Sequence, residues 1–174
     1  MEKFDIQSAP LEIERKFLIK YPDIAALQRM PGYRVLHMEQ TYLHADADFI
    51  GGRIRRIAEG DSVRYIYTYK EKLTEMTRRE YERELTEQEY RDLMPHKEPQ
   101  SMTIRKDRHC FLYADLLYEL DVYEFWDDQA TLEAEVKSES TPIPIPPCVE
   151  LIREVTGDVR YNNSRLAFNH GVIR

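Results

Sequence analysis

A two-residue beat of charge constrains this chain more than any other feature. Charged side chains recur two positions apart in segment after segment. Glu12, Glu14 and Lys16 begin the series, with Ile13 between the carboxylates. Arg53 and Arg55 flank Ile54, Glu80 and Glu82 flank Tyr81, Glu119 and Asp121 flank Leu120, and Glu133 and Glu135 flank Ala134. Lys106 with Arg108, and Thr68 with Lys70, keep the same spacing. Residues two apart share a face on an extended strand and not on a helix. The pattern therefore calls for β structure with charge of definite sign along one face of most strands.

The segments that carry the beat are short, and many are rich in β-branched or aromatic residues. They predict strands over Leu11 to Ile19, Val35 to Leu43, Gly52 to Ala58, Val63 to Glu71, Arg79 to Leu85, Met102 to Arg108, Leu117 to Glu124 and Thr131 to Ser138. Eight such strands suit a sandwich or a closed barrel. Helices enter as insertions. Pro22 to Met30 reads as a short helix with proline in its first turn. Thr86-Glu87-Gln88-Glu89 is a capping box that starts a helix over Glu87 to Leu93. Cys148 to Thr156 carries apolar residues at helical spacing with Gly157 as a stop, and Asn163 to Asn169 predicts a last turn or two. Pro142, Pro144, Pro146 and Pro147 form an extended connector too short to join two domains.

Composition narrows the function. A chain of 174 residues is most simply one domain with a sizeable core. A net charge of -7 argues against nonspecific binding to nucleic acid or an anionic membrane, while leaving room for a local basic pocket. Cys110 and Cys148 make no metal or disulfide framework, and no run approaches a membrane span. A cytoplasmic setting follows. The five histidines stand at no ligand spacing, and Cys110 reads as a buried bystander. Tyr65, Tyr67 and Tyr69 read as outer packing on one strand. Phe125 and Trp126 suit either a hydrophobic edge or a contact with a second copy of the chain.

Two arrangements fit the charged faces. A sandwich would leave the pairs in solvent. A barrel would turn them inward, where charge is costly unless it is paired or bound to metal. Lys and Arg along such a bore suit a chain of phosphates, and carboxylates alone suit Mg²⁺ or Mn²⁺. Ile13, Ile54, Leu120, Ala134 and Val136 would pack against protein in both cases, so parity does not separate lumen from solvent.

The order of the pieces adds a further constraint. Glu12-Ile13-Glu14-Arg15-Lys16-Phe17 resembles the ExExK signature of the CYTH domain, or triphosphate tunnel metalloenzyme, family. Gln40-Thr41-Tyr42-Leu43, Arg53-Ile54-Arg55, Thr68-Tyr69-Lys70, Arg79-Glu80-Tyr81-Glu82, Lys106-Asp107-Arg108, Glu119-Leu120-Asp121-Val122, Glu133-Ala134-Glu135 and the run from Glu154 to Tyr161 resemble its later motifs in the family's order. The resemblance spans Leu11 to about Ala167. It implies an α+β, mainly antiparallel β fold: a closed eight-stranded tunnel barrel with a few short peripheral helices, one CYTH domain over residues 1–174. It also implies metal-dependent chemistry on a small triphosphate substrate. Glu12, Glu14, Glu133 and Glu135 would bind Mg²⁺ or Mn²⁺ with help from Asp121. Lys16, Arg53, Arg55, Lys70, Lys106, Arg108 and Arg160 would grip phosphate. The general base stays open between a Lys16–Tyr42 pair and Glu80 or Glu82. A second copy of the chain is a candidate partner.

The small size favours inorganic tripolyphosphate. A class IV adenylyl cyclase acting on ATP, a thiamine or nucleoside triphosphatase, and a noncatalytic polyphosphate or nucleotide binder are the alternatives. The chain departs from the family at Tyr123-Glu124-Phe125-Trp126, where a glycine is common, and at Cys148-Val149-Glu150-Leu151, where Trp and Gly are. Lys137 shares the parity of Glu133 and Glu135, which leaves their register loosely set.

Overall fold

The computed structural model describes residues 11–46, 51–72 and 77–174. The expected β fold is present, mostly antiparallel with few helices. The strands are β1 (Leu11–Lys20), β2 (Arg34–Leu43), β3 (Gly52–Glu59), β4 (Ser62–Lys72), β5 (Thr77–Leu85), β6 (Ile104–Tyr113), β7 (Leu116–Tyr123), β8 (Gln129–Glu135) and β9 (Leu151–Glu154). They form one sheet in the order β5-β4-β3-β2-β6-β7-β8-β1-β9. β5 also pairs with β1 through Leu11↔Arg79, Glu12↔Arg78 and Ile13↔Thr77.

Short turns set the hairpin registers. Between β6 and β7 the two-residue turn Ala114–Asp115 has φ of 48° and 60°. Positive φ at both positions matches the right-handed strand twist, at a steric cost that glycine would avoid. It locks Lys106 opposite Tyr123 and Arg108 opposite Asp121.

The outer face of the sheet is apolar and is covered in two patches. Helix α1 (Ile24–Leu27) and the proline-rich connector cover Phe17, Ile19, Phe111, Tyr118, Leu120 and Leu132. Helix α2 (Glu87–Leu93) lies over Ile54, Tyr67 and Leu85. Helix α3 (Asn163–Phe168) and the residues around it pack instead on the inner face at one end of the sheet, against Leu18, Ile104, Tyr123 and Trp126. The α2 capping box forms as expected, with the Glu89 carboxylate accepting from the Thr86 N–H at 2.7 Å. Tyr65 and Tyr67 pack in the α2 patch, and the Tyr65 ring lies 4.9 Å from that of Tyr90. Phe125 and Trp126 belong to the α3 patch, where the Trp126 indole N–H donates to the Gly171 carbonyl at 2.9 Å.

Two expectations need correction. The helix predicted from Cys148 to Thr156 is instead strand β9, so the sheet has nine strands rather than eight. The apolar residues in that stretch are too few to separate helical from extended spacing. The deciding factor is the free edge of β1, whose backbone groups need partners. β9 supplies them through Phe17↔Glu154 and Leu18↔Arg153, with a register shift before Ile19↔Leu151. The helix expected over Pro22 to Met30 is confined to Ile24–Leu27, because Asp23 caps it by accepting from the Ala26 N–H.

Candidate active site

The other face of the sheet lines a cavity of about 1460 Å³. Glu14 and Lys16 reach it from β1, Gln40 and Tyr42 from β2, Arg53 and Arg55 from β3, and Thr68 and Lys70 from β4. Glu80 and Glu82 come from β5, Arg108 from β6, Glu119 from β7, and Glu133 and Glu135 from β8. The charged beat thus faces inward, and the alternate residues Ile54, Leu120 and Ala134 are buried in the outer patches.

The charges form two groups. On the β1, β6, β7 and β8 side, Asp121 is fully buried and shared by two cations. Lys106 bonds one of its oxygens, and Arg108 spans both, at 2.7 Å and 2.8 Å. Arg108 also bonds Glu119, and it reaches Glu133 at 3.2 Å. Lys16 Nζ lies 2.7 Å from Glu133 Oε1. Burial opposes the charge on Arg108, but Asp121, Glu119 and Glu133 outweigh it and hold its pKa well above the ordinary value. Burial likewise opposes charge on Asp121, and Arg108 and Lys106 overcome it, so its pKa is lowered. Burial dominates at Lys106, which also faces Arg108, and its pKa falls to about 8. At Lys16 burial is outweighed by Glu133, Tyr123 and Glu14, and the pKa rises. Lys16 therefore keeps its proton.

On the β3, β4 and β5 side the balance differs. Arg55 Nη2 donates to Glu82 Oε2 at 2.6 Å and to Thr68 Oγ1 at 3.2 Å. Arg53 Nη2 donates to Glu80 Oε1 at 3.3 Å, and Lys70 pairs with Glu80. Yet Nε of Arg53 and Nε of Arg55 are buried without an acceptor, the sole such side-chain nitrogen or oxygen atoms among the described residues. Burial and then Arg53 depress the pKa of Arg55 to about 10, with Glu82 only partly offsetting them. A buried donor left unsatisfied is costly, so an acceptor entering from the cavity would be favoured beside these two groups.

Between the two groups stands Tyr42. Its hydroxyl accepts from Gln40 Nε2 at 2.8 Å. Burial raises its pKa against Arg53 and Lys16, so it is a neutral phenol.

The expected metal ligands are placed as follows. Glu14 and Glu135 are directly opposed on β1 and β8, and Glu133 opposes Lys16. Like charges directly opposed across strands repel, and a hard divalent cation between oxygen ligands relieves that repulsion. The Glu14–Glu135 pair fits such an ion in this respect. Among the described residues no group of three or more acidic, histidine or cysteine side chains is already gathered for one. The Glu12 side chain lies outside the described residues. β8 ends at Glu135, so Lys137 stays out of the ladder.

Three other expected residues lie apart from the cavity wall. Lys106 and Asp121 sit behind Arg108 as its buried support. Arg160 is exposed and donates to Asp158 at 2.7 Å and 2.9 Å, away from the cavity. The structure also adds residues that the charge beat passes over. Leu36, Met38, Ile57 and Ile66 share the inward parity, line the cavity and form a buried apolar cluster with Cys110. Burial pushes the Cys110 thiol up to about 11. Asn162, Asn163 and Ser164 bring α3 to the cavity.

The CYTH-domain family model matches residues 10–144. The chain belongs to the CYTH-domain family. Two crystal structures of NE1496 are similar to this CYTH chain. One, described as a hypothetical protein, is 30% identical, with 90% of this chain and 97% of that one covered and a TM-score of 0.55. The other, described as the inorganic triphosphatase NE1496, is 28% identical, with 90% and 94% covered and a TM-score of 0.54. The protein PH1819 of Pyrococcus horikoshii OT3 shares the fold at 19% identity, covering 74% of this chain and 80% of that one, with a TM-score of 0.57. No curated protein matches the chain. Among the described residues no helix is long and apolar enough to cross a membrane.

Proposed function

We propose that the chain hydrolyses a small triphosphate, inorganic tripolyphosphate first, with Mg²⁺ or Mn²⁺ inside a tunnel closed by the β5–β1 pairing. Closure is supported by the fact that β5, at one end of the strand order, bonds both β4 and β1. The observation that carries the function is the pair of buried, acceptor-free Nε–H groups of Arg53 and Arg55. They call for an anion with several oxygens, and a triphosphate has them. The likeness to the inorganic triphosphatase NE1496 over nearly its whole length supports the substrate class.

In this reading Arg53, Arg55 and Lys70 take the phosphate oxygens and neutralise charge as the phosphoryl group departs. Lys16 and Arg108 face them across the cavity as protonated, preoriented donors. Glu14, Glu135 and Glu12, with Glu133 nearby, would hold the divalent ion. That ion would supply Lewis-acid polarisation of phosphate oxygens and a more acidic bound water. With Glu133 at 2.7 Å and its pKa raised by the neighbouring carboxylates, Lys16 is read as a phosphate cation rather than as the base. Glu80 and Glu82 then stand as base candidates, next to the arginines that the substrate would engage.

A phosphate-release screen over tripolyphosphate, ATP, GTP and thiamine triphosphate, with Mg²⁺, Mn²⁺ or chelator, tests this reading. Release from tripolyphosphate that chelator abolishes is the expected result. Cyclic AMP and pyrophosphate from ATP would make the chain a cyclase. Binding of tripolyphosphate without any product would make it a noncatalytic binder.

A further inference from the structure

Asn163 lines the same cavity as the cations, at the start of α3. Its side chain is held from behind. The Tyr123 hydroxyl donates to Asn163 Oδ1 at 2.7 Å, and the same hydroxyl meets Thr131 Oγ1 at 3.3 Å. Tyr123 is almost wholly buried, stacked on Phe125 at 5.0 Å between ring centroids, and it also carries Lys106 Nζ 5.4 Å from its ring centre. The helix is fixed as well: Leu166 and Ala167 are buried against Ile104 and Tyr123, and the Met102 N–H donates to the Ala167 carbonyl at 3.0 Å. With Oδ1 committed to the phenol, the group that Asn163 offers to a ligand is its amide –NH₂, a neutral two-proton donor.

We propose that Asn163 is a substrate contact, donating its amide N–H to a phosphate oxygen, and that Tyr123 is the positioning residue that sets the amide's orientation. The assignment rests on the cavity being a triphosphate site. A neutral donor suits the end of a site already rich in guanidinium and ammonium, since it adds direction without more repulsion among cations. A carboxylate in its place, of the same sign as phosphate, would repel the substrate.

Steady-state kinetics on tripolyphosphate with Asn163→Ala, Asn163→Asp, Tyr123→Phe and the Asn163→Ala/Tyr123→Phe double variant test the assignment. A hydrogen bond to a charged acceptor corresponds to about tenfold or more in affinity. Asn163→Ala should raise KM by about tenfold with kcat changed far less, and Asn163→Asp should raise it further. Tyr123→Phe should raise KM by less, and the double variant should be no worse than Asn163→Ala alone, because the phenol acts through the amide. Unchanged KM in both Asn163 variants overturns the contact. Additive effects in the double variant overturn the positioning role, since a merely structural phenol would add its own loss. If the native chain releases no phosphate, calorimetric binding of tripolyphosphate to the same variants replaces KM. Native protein that binds but does not hydrolyse removes the hydrolase reading and leaves Asn163 to be judged on Kd, and absence of any binding overturns both.

Discussion

Arg55 and Arg108 face one cavity from β3 and β6, and they live under opposite electrostatics. Arg108 is surrounded by Asp121, Glu119 and Glu133, which overcome its burial and raise its pKa. Arg55 has Glu82 and Thr68 but also Arg53 and Arg108 nearby, an Nε–H with no acceptor, and a pKa depressed to about 10. Arg108 is ringed by carboxylates, whereas Arg55 keeps one buried N–H without an acceptor. The contrast teaches a division of labour. The β6–β8 side is a self-sufficient ion network that holds the wall in place, and the β3–β4 side is the one left short of oxygen.

The largest effect should come from breaking the complete side. Asp121→Asn leaves Lys106 and Arg108 buried with too little negative charge, which should cost about 3–5 kcal/mol in denaturant unfolding. A loss well under that would show that the network is not what holds this wall. Next, Arg55→Ala should weaken tripolyphosphate binding by about 1.5–3 kcal/mol, roughly ten- to a hundredfold in Kd by calorimetry. Because its Nε–H is unsatisfied without ligand, the same change should leave ligand-free stability nearly unaltered. A variant equally unstable and equally tight-binding would reverse the two roles.

Acid should also strike the complete side. Burial works against ionised Glu133, but Lys16 and Arg108 prevail and lower its pKa to about 2. The unfolded chain, with ordinary carboxyls, takes up protons first as pH falls, so the stability held in this group is present above pH 4.5 and is lost on the way down to about 2. Unfolding measured across that range should show the decline, and Glu133→Gln should flatten it. The smallest effect belongs to an ion pair outside the cavity. Arg15 holds Glu154 at 2.5 Å and 2.8 Å between β1 and β9, in partial solvent. Arg15→Ala should cost no more than about 1 kcal/mol, read as a small shift in the unfolding midpoint.

Much of this arrangement was legible because charge alternation and sheet geometry share a period. Arg53 with Arg55, Glu80 with Glu82 and Glu133 with Glu135 could be placed on one face from spacing alone, and the capping box at Thr86 located α2. Parity could not say which charges would be hidden behind others, so Lys106 and Asp121 read the same as Arg108 although they sit behind it. The beat also falls silent where inward residues turn apolar. Leu36, Met38, Ile57 and Ile66 continue the parity of Gln40, Arg55 and Thr68 without any charge to mark it. β9 was lost because its four residues are exposed and take their conformation from the edge of β1 rather than from their own pattern. Asn163 had no signal beyond its place in the run after Tyr161, since its role depends on a phenol 40 positions away.

β1 has partners in β5, β8 and β9, all far downstream. During synthesis it waits for β8, more than a hundred residues later, which at roughly 5–20 residues per second is on the order of ten seconds. Through that interval Phe17, Leu18 and Ile19 form an apolar strand with bare edges, the kind of segment that seeds aggregation. Glu12, Glu14, Arg15 and Lys16 precede it directly. The triplet proposed to hold metal and phosphate in the finished protein would thus also serve as gatekeeper for the nascent one, and neutral substitutions there should lower soluble yield.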